Sequence, residues 1–138
     1  MSADHRRWCS ERCRKRALHE FSLANDPVYQ RRAVWKRDRG VCAACGRDTL
    51  TLRHRLQAAT KDEKVLLYHE LLHEGYDRYH LDCFMLWEVD HIVPVIEGGG
   101  GTGLENLQTL CSPCHKKKTS AMMRRRRNEQ KGLRGLFD

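Results

Sequence analysis

Two C-x-x-C pairs are the clearest chemical signal in this chain of 138 residues: Cys42 with Cys45, and Cys111 with Cys114. Each C-x-x-C turn can present two sulfurs to one tetrahedral ion, so two turns together can complete a four-thiolate zinc site. Four thiolates leave no open position for a substrate, and we therefore predict a structural zinc ion. Four buried cysteines that happen to be paired, or a redox pair, would be the alternatives.

A second group of polar residues lies between the cysteine pairs and directly after them: Asp90, His91, Asn106 and His115. Hydrolysis of a phosphodiester needs a base that activates water and a cation that neutralises charge on the phosphate. Histidine has an unperturbed pKa near neutrality, which makes His91 a candidate general base. Asp90 offers hard oxygen ligands to a divalent cation such as Mg²⁺. These residue types therefore favour a metal-dependent nuclease.

Each of these residues also has a simpler explanation when it is taken alone. An isolated Asp-His is commonly a surface pair, and an isolated Asn is commonly a turn residue. His115 directly follows Cys114 and could itself be a zinc ligand in a Cys3His site.

The net charge of +8 is concentrated at the two ends of the chain. Residues 116–134 contain nine basic residues and one acidic residue. Residues 1–16 contain six basic residues and two acidic residues. Basic ends suit a polyanion, of which nucleic acid is the commonest, although a solvated tail or a localisation patch would have the same charge. The predicted DNA contacts are Lys116, Lys117, Lys118, Arg124, Arg125, Arg126 and Arg127.

Lys118 is the strongest candidate for a phosphate contact among these basic residues. It follows His115 by three residues and therefore shares its helix face. One more solvated lysine is the alternative. Residues 124–127 would cover all sides of a helix, so only some of these arginines could face DNA.

The composition limits the class of protein. A chain of this length suffices for one domain, and its few large aromatic residues suggest that a metal contributes to stability. No apolar run approaches 18 residues, so no membrane span is expected. The charged residues 1–16 lack the apolar segment of a secretory signal, which predicts an intracellular protein of the cytoplasm, nucleoid or nucleus. Cysteines in such a protein are expected to be metal ligands or thiols rather than disulfides.

Three helices are predicted before the candidate catalytic residues, over residues 10–23, 28–37 and 61–73. Asp26 followed by Pro27 is typical of a helix start, and a glycine at position 40 would end that second helix. The third helix lies in an insertion, residues 46–86, and has Thr60 and Glu63 as a capping box. Its apolar face is predicted to be Val65, Leu66, Leu71 and Leu72.

The candidate catalytic residues are predicted to lie on two strands and a helix. The strands cover residues 87–91 and 107–110, and a loop with five glycines in residues 98–103 separates them. A helix begins at Ser112, with Pro113 in its first turn. The predicted fold class is therefore α+β, a small zinc-stapled ββα core with flanking and inserted helices.

The motifs resemble those of the HNH, or ββα-metal, endonuclease family. The matching segments are residues 89–94, 104–111 and 114–119, and the core of the resemblance covers residues 36–119. A looser similarity over nearly the whole chain, including residues 8–13, is to the HNH domain at the end of annealing helicases. The resemblance implies a ββα-metal fold and a DNA endonuclease.

The resemblance also implies roles for individual residues. His91 would be the general base, and Asp90 and His115 would be the protein ligands of a catalytic Mg²⁺ or Mn²⁺. Asn106 would brace the loop between the strands and hold the backbone around His91.

We therefore predict a single HNH endonuclease domain over residues 1–138. It would consist of N-terminal helices in residues 1–38, a zinc-bound ββα core in 39–120 and a basic tail in 121–138. One such site makes one cut, so a monomer is expected to nick duplex or branched DNA. The alternative is a non-catalytic zinc-stabilised module that binds DNA, and a protein partner or a dimer is left open.

Residues 69–73 read His-Glu-Leu-Leu-His, which matches the H-E-x-x-H signature of zinc metalloproteases. The extended signature needs a glycine three residues and a histidine six residues after the second histidine. Gly75 and His80 follow His73 by two and seven residues. We therefore predict two surface histidines on an amphipathic helix rather than a peptidase.

Three cysteines remain outside the two pairs. Cys9 and Cys13 could hold a second zinc ion if His5 and His19 supplied the other ligands, or they could simply pack in a helix. Cys83 is predicted to be a buried free thiol.

Overall fold

A computed structural model of the chain describes residues 8–134, with side chains as far as residue 132. His5 and the basic residues Arg6 and Arg7 lie outside the described residues. The described elements are α1 (Glu11–Asn25), α2 (Pro27–Asp38), α3 (Thr49–Ala58), α4 (Lys61–His73), α5 (Arg78–Asp82), β1 (Trp87–His91), β2 (Leu107–Cys111) and α6 (Ser112–Arg134). The combination of helices with a two-stranded sheet confirms the predicted α+β class.

The chain divides into two compact units. Among the described residues, the first unit consists of residues 8–39 and 89–108, and the second consists of residues 40–88 and 109–134. The prediction of a single domain over residues 1–138 stays a prediction. None of the helices in residues 8–134 has the length and apolar character that a membrane span requires.

The first unit begins with α1 and α2, which meet at one residue. The N–H of Cys13 donates to the Ser10 hydroxyl and caps the start of α1. Asp26 ends α1 and also begins α2, where its carboxylate accepts N–H bonds in the first turn. The predicted helix start at Asp26 is therefore confirmed. Helix α2 ends at Asp38, two residues before Gly40, since Arg39 takes the left-handed conformation.

The two strands pair as antiparallel neighbours. The N–H of Ile92 donates to the carbonyl of Asn106 at 2.8 Å, and the side chain of Gln108 reaches back to Asp90. As the residue number rises on β1 it therefore falls on β2. Both strands lie where the sequence predicts them, and the glycine-containing segment connects them.

The core of the second unit is built mainly by the inserted helices. Helix α3 is missing from the sequence prediction, although Asp48 caps its start and Leu52 and Leu56 lie one turn apart on its buried face. The core residues are Cys42, Leu52, Leu56, Leu67, Leu71, Tyr76, Leu81, Leu86, Leu110 and Cys111.

Helix α4 has the predicted bounds and the predicted capping box at Thr60, but of its predicted apolar face only Leu71 is buried. Val65 and Leu66 are 65% and 74% exposed, and Leu72 is also exposed. Leu67 and Leu71 are the buried residues of this helix. Apolar residues occur on more than one side of α4, so its own pattern does not identify the side that meets Leu52 and Leu56 of α3.

The end of the insertion also differs from the prediction at one cysteine. Cys83 ends α5 and is exposed, so the prediction of a buried thiol is wrong. Helix α6 then begins directly after β2, as predicted. The N–H of Ser112 donates to the carbonyl of Leu86 at 3.1 Å, and its hydroxyl donates to the carbonyl of Met85 at 3.1 Å.

Candidate active site and cysteine cluster

The four paired cysteines come together in the second unit. The sulfurs of Cys42, Cys45, Cys111 and Cys114 all lie within 4.8 Å of one another, and those of Cys45 and Cys111 are 3.7 Å apart. A tetrahedral ion with Zn–S bonds of about 2.3 Å would separate its sulfurs by about 3.8 Å. The cluster can therefore hold a metal ion of this kind. His115 is not a member of the cluster, so the geometry favours four sulfurs over a Cys3His set.

The cluster is held by the elements from which its cysteines come. The N–H of Ala43, inside the first C-x-x-C turn, donates to the carbonyl of Thr109 on β2 at 2.8 Å. Cys111 is the last residue of β2, and Cys114 lies in the first turn of α6. The second pair is therefore presented at a strand-to-helix junction.

The cluster affects the acidity of its thiols in opposite directions. Burial raises the pKa of Cys42, but hydrogen bonds from the backbone of Cys111, Cys45 and Ala44 outweigh burial and bring that pKa to about 7. Burial is also the main reason why the pKa of Cys111 is raised. Because the thiolate is the form that binds a metal, the lowered pKa of Cys42 favours metal binding.

Asp90 and His91 are the last two residues of β1 in the first unit. Asp90 is only 9% exposed, and the side-chain N–H of Gln108 donates to its Oδ2 at 2.7 Å. His91 is half-buried, and the chain bends directly after it. Adjacent strand residues point to opposite faces, and the bend at residues 92 and 93 follows both Asp90 and His91.

The amide of Asn106 connects two parts of the loop between the strands. Its Oδ1 accepts the N–H of Val93 at 2.8 Å, two residues after His91. Its Nδ2 donates to the carbonyls of Val93 and Gly99, both at 3.1 Å, and to the hydroxyl of Thr102 at 3.0 Å. One side chain thus ties the segment after β1 to the glycine-rich segment before β2.

Arg37 supports the same segment and is missing from the sequence prediction. From α2 its guanidinium donates to the carbonyls of Leu104 and Leu107, at 2.9 and 2.7 Å, on either side of Asn106. A hydrogen-bonded ion pair with Asp38 raises the pKa of Arg37 and helps to hold the guanidinium in place. Nothing in the sequence marks this arginine among the other basic residues of α2.

Gly99 is a position where the loop has no room for a side chain. A Cβ there would overlap the carbonyl oxygen of Val93 and lie 2.9 Å from Nδ2 of Asn106. We expect Gly99→Ala to lower the free energy of unfolding by about 1–3 kcal/mol, because the backbone or the Asn106 amide must move. Chemical denaturation measures this loss. Gly132→Ala is the matched control, since its Cβ would meet nothing within 4 Å, and an equal loss there would contradict the explanation.

His115 lies in the first turns of α6, next to a cysteine of the cluster, and is half-buried. Lys116 follows it, and its ammonium lies 2.7 Å from Asp77 Oδ2 and 3.3 Å from the carbonyl of Gly75. This ammonium is the main reason why the pKa of Asp77 is held at about 2. Lys116 therefore has a partner within the protein, and Lys117 is the exposed lysine beside it.

The other predicted DNA contacts lie farther along α6. Lys118 is half-buried, Arg126 is half-buried, and the remaining three arginines of residues 124–127 are exposed. The guanidinium of Arg125 lies 3.9 Å from Glu129. The contacts of these residues with DNA stay a prediction.

The two histidines of the H-E-x-x-H pattern lie side by side on the exposed surface of α4. The ring centroids of His69 and His73 are 4.6 Å apart. The third potential ligand is His80. Its Nδ1 lies 2.6 Å from Asp77 and its Nε2 lies 3.9 Å from Glu88, and both of these acidic residues belong, like His80, to the second unit. This arrangement is that of two surface histidines, as the irregular spacing predicts.

Substitution of the α4 histidines should leave the protein unaffected. We expect His69→Ala and His73→Ala each to change the free energy of unfolding by less than about 0.5 kcal/mol, because both side chains are exposed. The predicted DNA cleavage should likewise be unchanged in both variants, as measured by nicking of a supercoiled plasmid. Loss of cleavage in either variant would instead connect this pair to the catalytic reaction.

Only part of the possible second zinc site comes together in the described residues. The pKa of Cys9 is lowered, mainly by the neighbouring Cys13 thiol. His19 instead has its Nδ1 2.6 Å from the hydroxyl of Tyr29. The question of a second zinc ion stays open, because two thiols alone do not complete a site.

Comparison with known proteins finds relatives over most of the chain. The HNH endonuclease family model matches residues 76–121. The mouse and human proteins named DNA annealing helicase and endonuclease ZRANB3 are 35% and 37% identical over 126 and 128 residues. Each match covers 86% of this chain, which spans only 12% of the length of either relative.

A solved structure is similar over nearly its full length. The crystal structure of the human ZRANB3 HNH domain is 33% identical to this chain, with a TM-score of 0.60, and the match covers 80% of this chain and 99% of that domain. The segment that the family model matches contains Asp90, His91, Asn106 and Cys111. The chain therefore belongs to the HNH endonuclease family.

Proposed function

We propose that this chain is a metal-dependent endonuclease domain that hydrolyses DNA phosphodiester bonds. The observation on which this proposal mainly rests is the end of β1, where the buried Asp90 carboxylate is held by Gln108 directly beside His91. A buried carboxylate next to a histidine offers a cation ligand and a base within one short segment. Membership of the HNH endonuclease family supports this assignment.

His91 would act as the general base and take a proton from the attacking water. Asp90 would bind a divalent cation, Mg²⁺ or Mn²⁺, whose chemistry is to neutralise charge on the phosphate. Asn106 would keep the loop after His91 in place through its bonds to Val93. His115 would be the second protein ligand of the cation, an assignment that rests on the family motif alone.

The cysteine cluster would hold a structural zinc ion. Its four sulfurs would fill a tetrahedral coordination shell and leave no position for water or substrate. The ion would connect the turn after residue 40 with the start of α6. Its contribution would be to stability rather than to chemistry.

DNA would be bound largely through the phosphate backbone. The exposed Lys117 and the basic residues of α6 would provide the contacts, and Lys116 would contribute less because Asp77 already pairs with it. Binding of this kind weakens steeply with salt. The relatives are named as DNA annealing helicases and endonucleases, which supports DNA as the substrate. We propose duplex or branched DNA in particular, and an intracellular location.

A cleavage panel tests the proposed function. The wild-type chain would be incubated with Mg²⁺, Mn²⁺, Co²⁺ or Ni²⁺ and with linear, nicked, forked and flapped DNA and an RNA duplex. We expect single-strand nicks on at least one DNA substrate, dependent on the added cation. Binding to DNA without cleavage under all these conditions would contradict the proposal and favour a non-catalytic, zinc-stabilised DNA-binding module.

A further inference from the structure

The side chain of Gln108 makes a specific contact with the carboxylate of Asp90. Nε2 of Gln108, on β2, lies 2.7 Å from Oδ2 of Asp90, on the paired strand β1. Because Asp90 is only 9% exposed, its carboxylate must be satisfied mainly by the protein or by a bound ion. We infer that Gln108 is a positioning residue that sets the orientation of Asp90 for the catalytic cation, an inference that rests on the proposed function.

A neutral amide is well suited to this task. A lysine or arginine at position 108 would neutralise the carboxylate and compete with the cation, whereas the amide of Gln108 donates a hydrogen bond without a charge. An ionised carboxylate accepts at about four positions, so one amide N–H leaves capacity for a metal ion. Ligating carboxylates are generally hydrogen-bonded by such outer groups, which fix the direction of the ligand oxygen.

Gln108 is itself fixed by its place on β2. The preceding residue, Leu107, is fully buried, and its carbonyl accepts a hydrogen bond from Arg37. Asn106 directly precedes β2, and Gln108 is the second residue of this strand. One short segment therefore holds both the loop after His91, through Asn106, and the carboxylate of Asp90, through Gln108.

The test replaces Gln108 by residues that cannot donate. Gln108→Met keeps the length of the side chain, and Gln108→Ala removes it, which provides a second variant if one folds poorly. Cleavage is measured as a function of Mn²⁺ concentration, and Mn²⁺ binding is measured separately by electron paramagnetic resonance. We expect the half-saturating Mn²⁺ concentration to rise about 10–100-fold in both variants. The rate at saturating Mn²⁺ and the melting temperature should change much less.

Two controls separate a specific effect from a general one. Gln57→Met, an exposed glutamine on α3, should keep the wild-type Mn²⁺ dependence. Adding Gln108→Met to Asp90→Asn should weaken Mn²⁺ binding no further than Asp90→Asn alone, because the two residues act as one unit. A further loss in the double variant would overturn the inference.

The remaining outcomes distinguish the inference from the proposed function. If the wild type does not cleave, or if Asp90→Asn cleaves as well as the wild type, the proposed function fails. If the wild type cleaves and Asp90→Asn does not, but Gln108→Met keeps the wild-type Mn²⁺ dependence, only the role of Gln108 is overturned. A lower cleavage rate at every Mn²⁺ concentration, together with a lower melting temperature, would show a purely structural role and would also overturn it.

Discussion

Replacement of His91 by alanine is expected to lower the rate of DNA cleavage by about 10²–10⁴-fold, the usual contribution of a general base. The loss should appear in the rate at saturating DNA and cation. His91 is half-buried at the end of β1, and its removal leaves the Asn106 bonds to Val93 and the Gln108 bond to Asp90 available. We therefore expect DNA affinity and the melting temperature to remain close to those of the wild type.

His54→Ala is the matched control for this experiment, because His54 is an exposed histidine on α3 in the second unit. It should cleave as the wild type does. Nicking of a labelled duplex under single-turnover conditions measures the chemical step directly, and a gel-shift titration measures binding. Wild-type cleavage by His91→Ala would contradict the assignment of the base, and a parallel loss of binding would indicate a role in DNA contact instead.

Replacement of Cys111 by serine is expected to remove the bound zinc ion and to unfold the second unit. Structural zinc contributes about 10–16 kcal/mol of binding free energy in small zinc-dependent folds. This binding free energy equals or exceeds the free energy of unfolding of most domains, which is about 5–15 kcal/mol. Cys111 is buried among the core residues and provides one of the four clustered sulfurs. Its loss would therefore remove a ligand and leave a polar hydroxyl in the core.

Cys83→Ser is the matched control, because Cys83 is exposed and lies outside the cluster. Zinc content by atomic emission should be lower by one ion per chain in Cys111→Ser than in this control. Circular dichroism should show the helical signal retained in the control and largely lost in the cluster variant. A folded Cys111→Ser protein without metal would contradict a zinc-dependent core.

Local features of the sequence were sufficient to predict several elements. Asp26 before Pro27 marks the junction of α1 and α2, and the capping box at Thr60 marks the start of α4. Such signals act through hydrogen bonds between residues only two or three positions apart, so they are readable without knowledge of the fold. The strands on either side of the glycine-rich loop are predictable for a similar reason.

Other features depend on partners that are distant in the sequence. Helix α4 has apolar residues on more than one side, and only packing with Leu52 and Leu56 of α3 selects Leu67 and Leu71 for burial. Cys83 is exposed because it lies at the end of the short helix α5, which the sequence pattern did not predict. Neither outcome follows from residue type or local spacing.

The sequence by itself determined the chemical groups: the two cysteine pairs, Asp90 with His91, and Asn106, in the order and spacing of the HNH family. Only the tertiary structure showed which side chains support these groups. Arg37 reaches carbonyls about 70 positions away, and Gln108 reaches Asp90 across the paired strands. The physical reason is that a motif is defined by adjacent residues, whereas the orientation of its side chains is set by hydrogen bonds that form only when distant segments pack together.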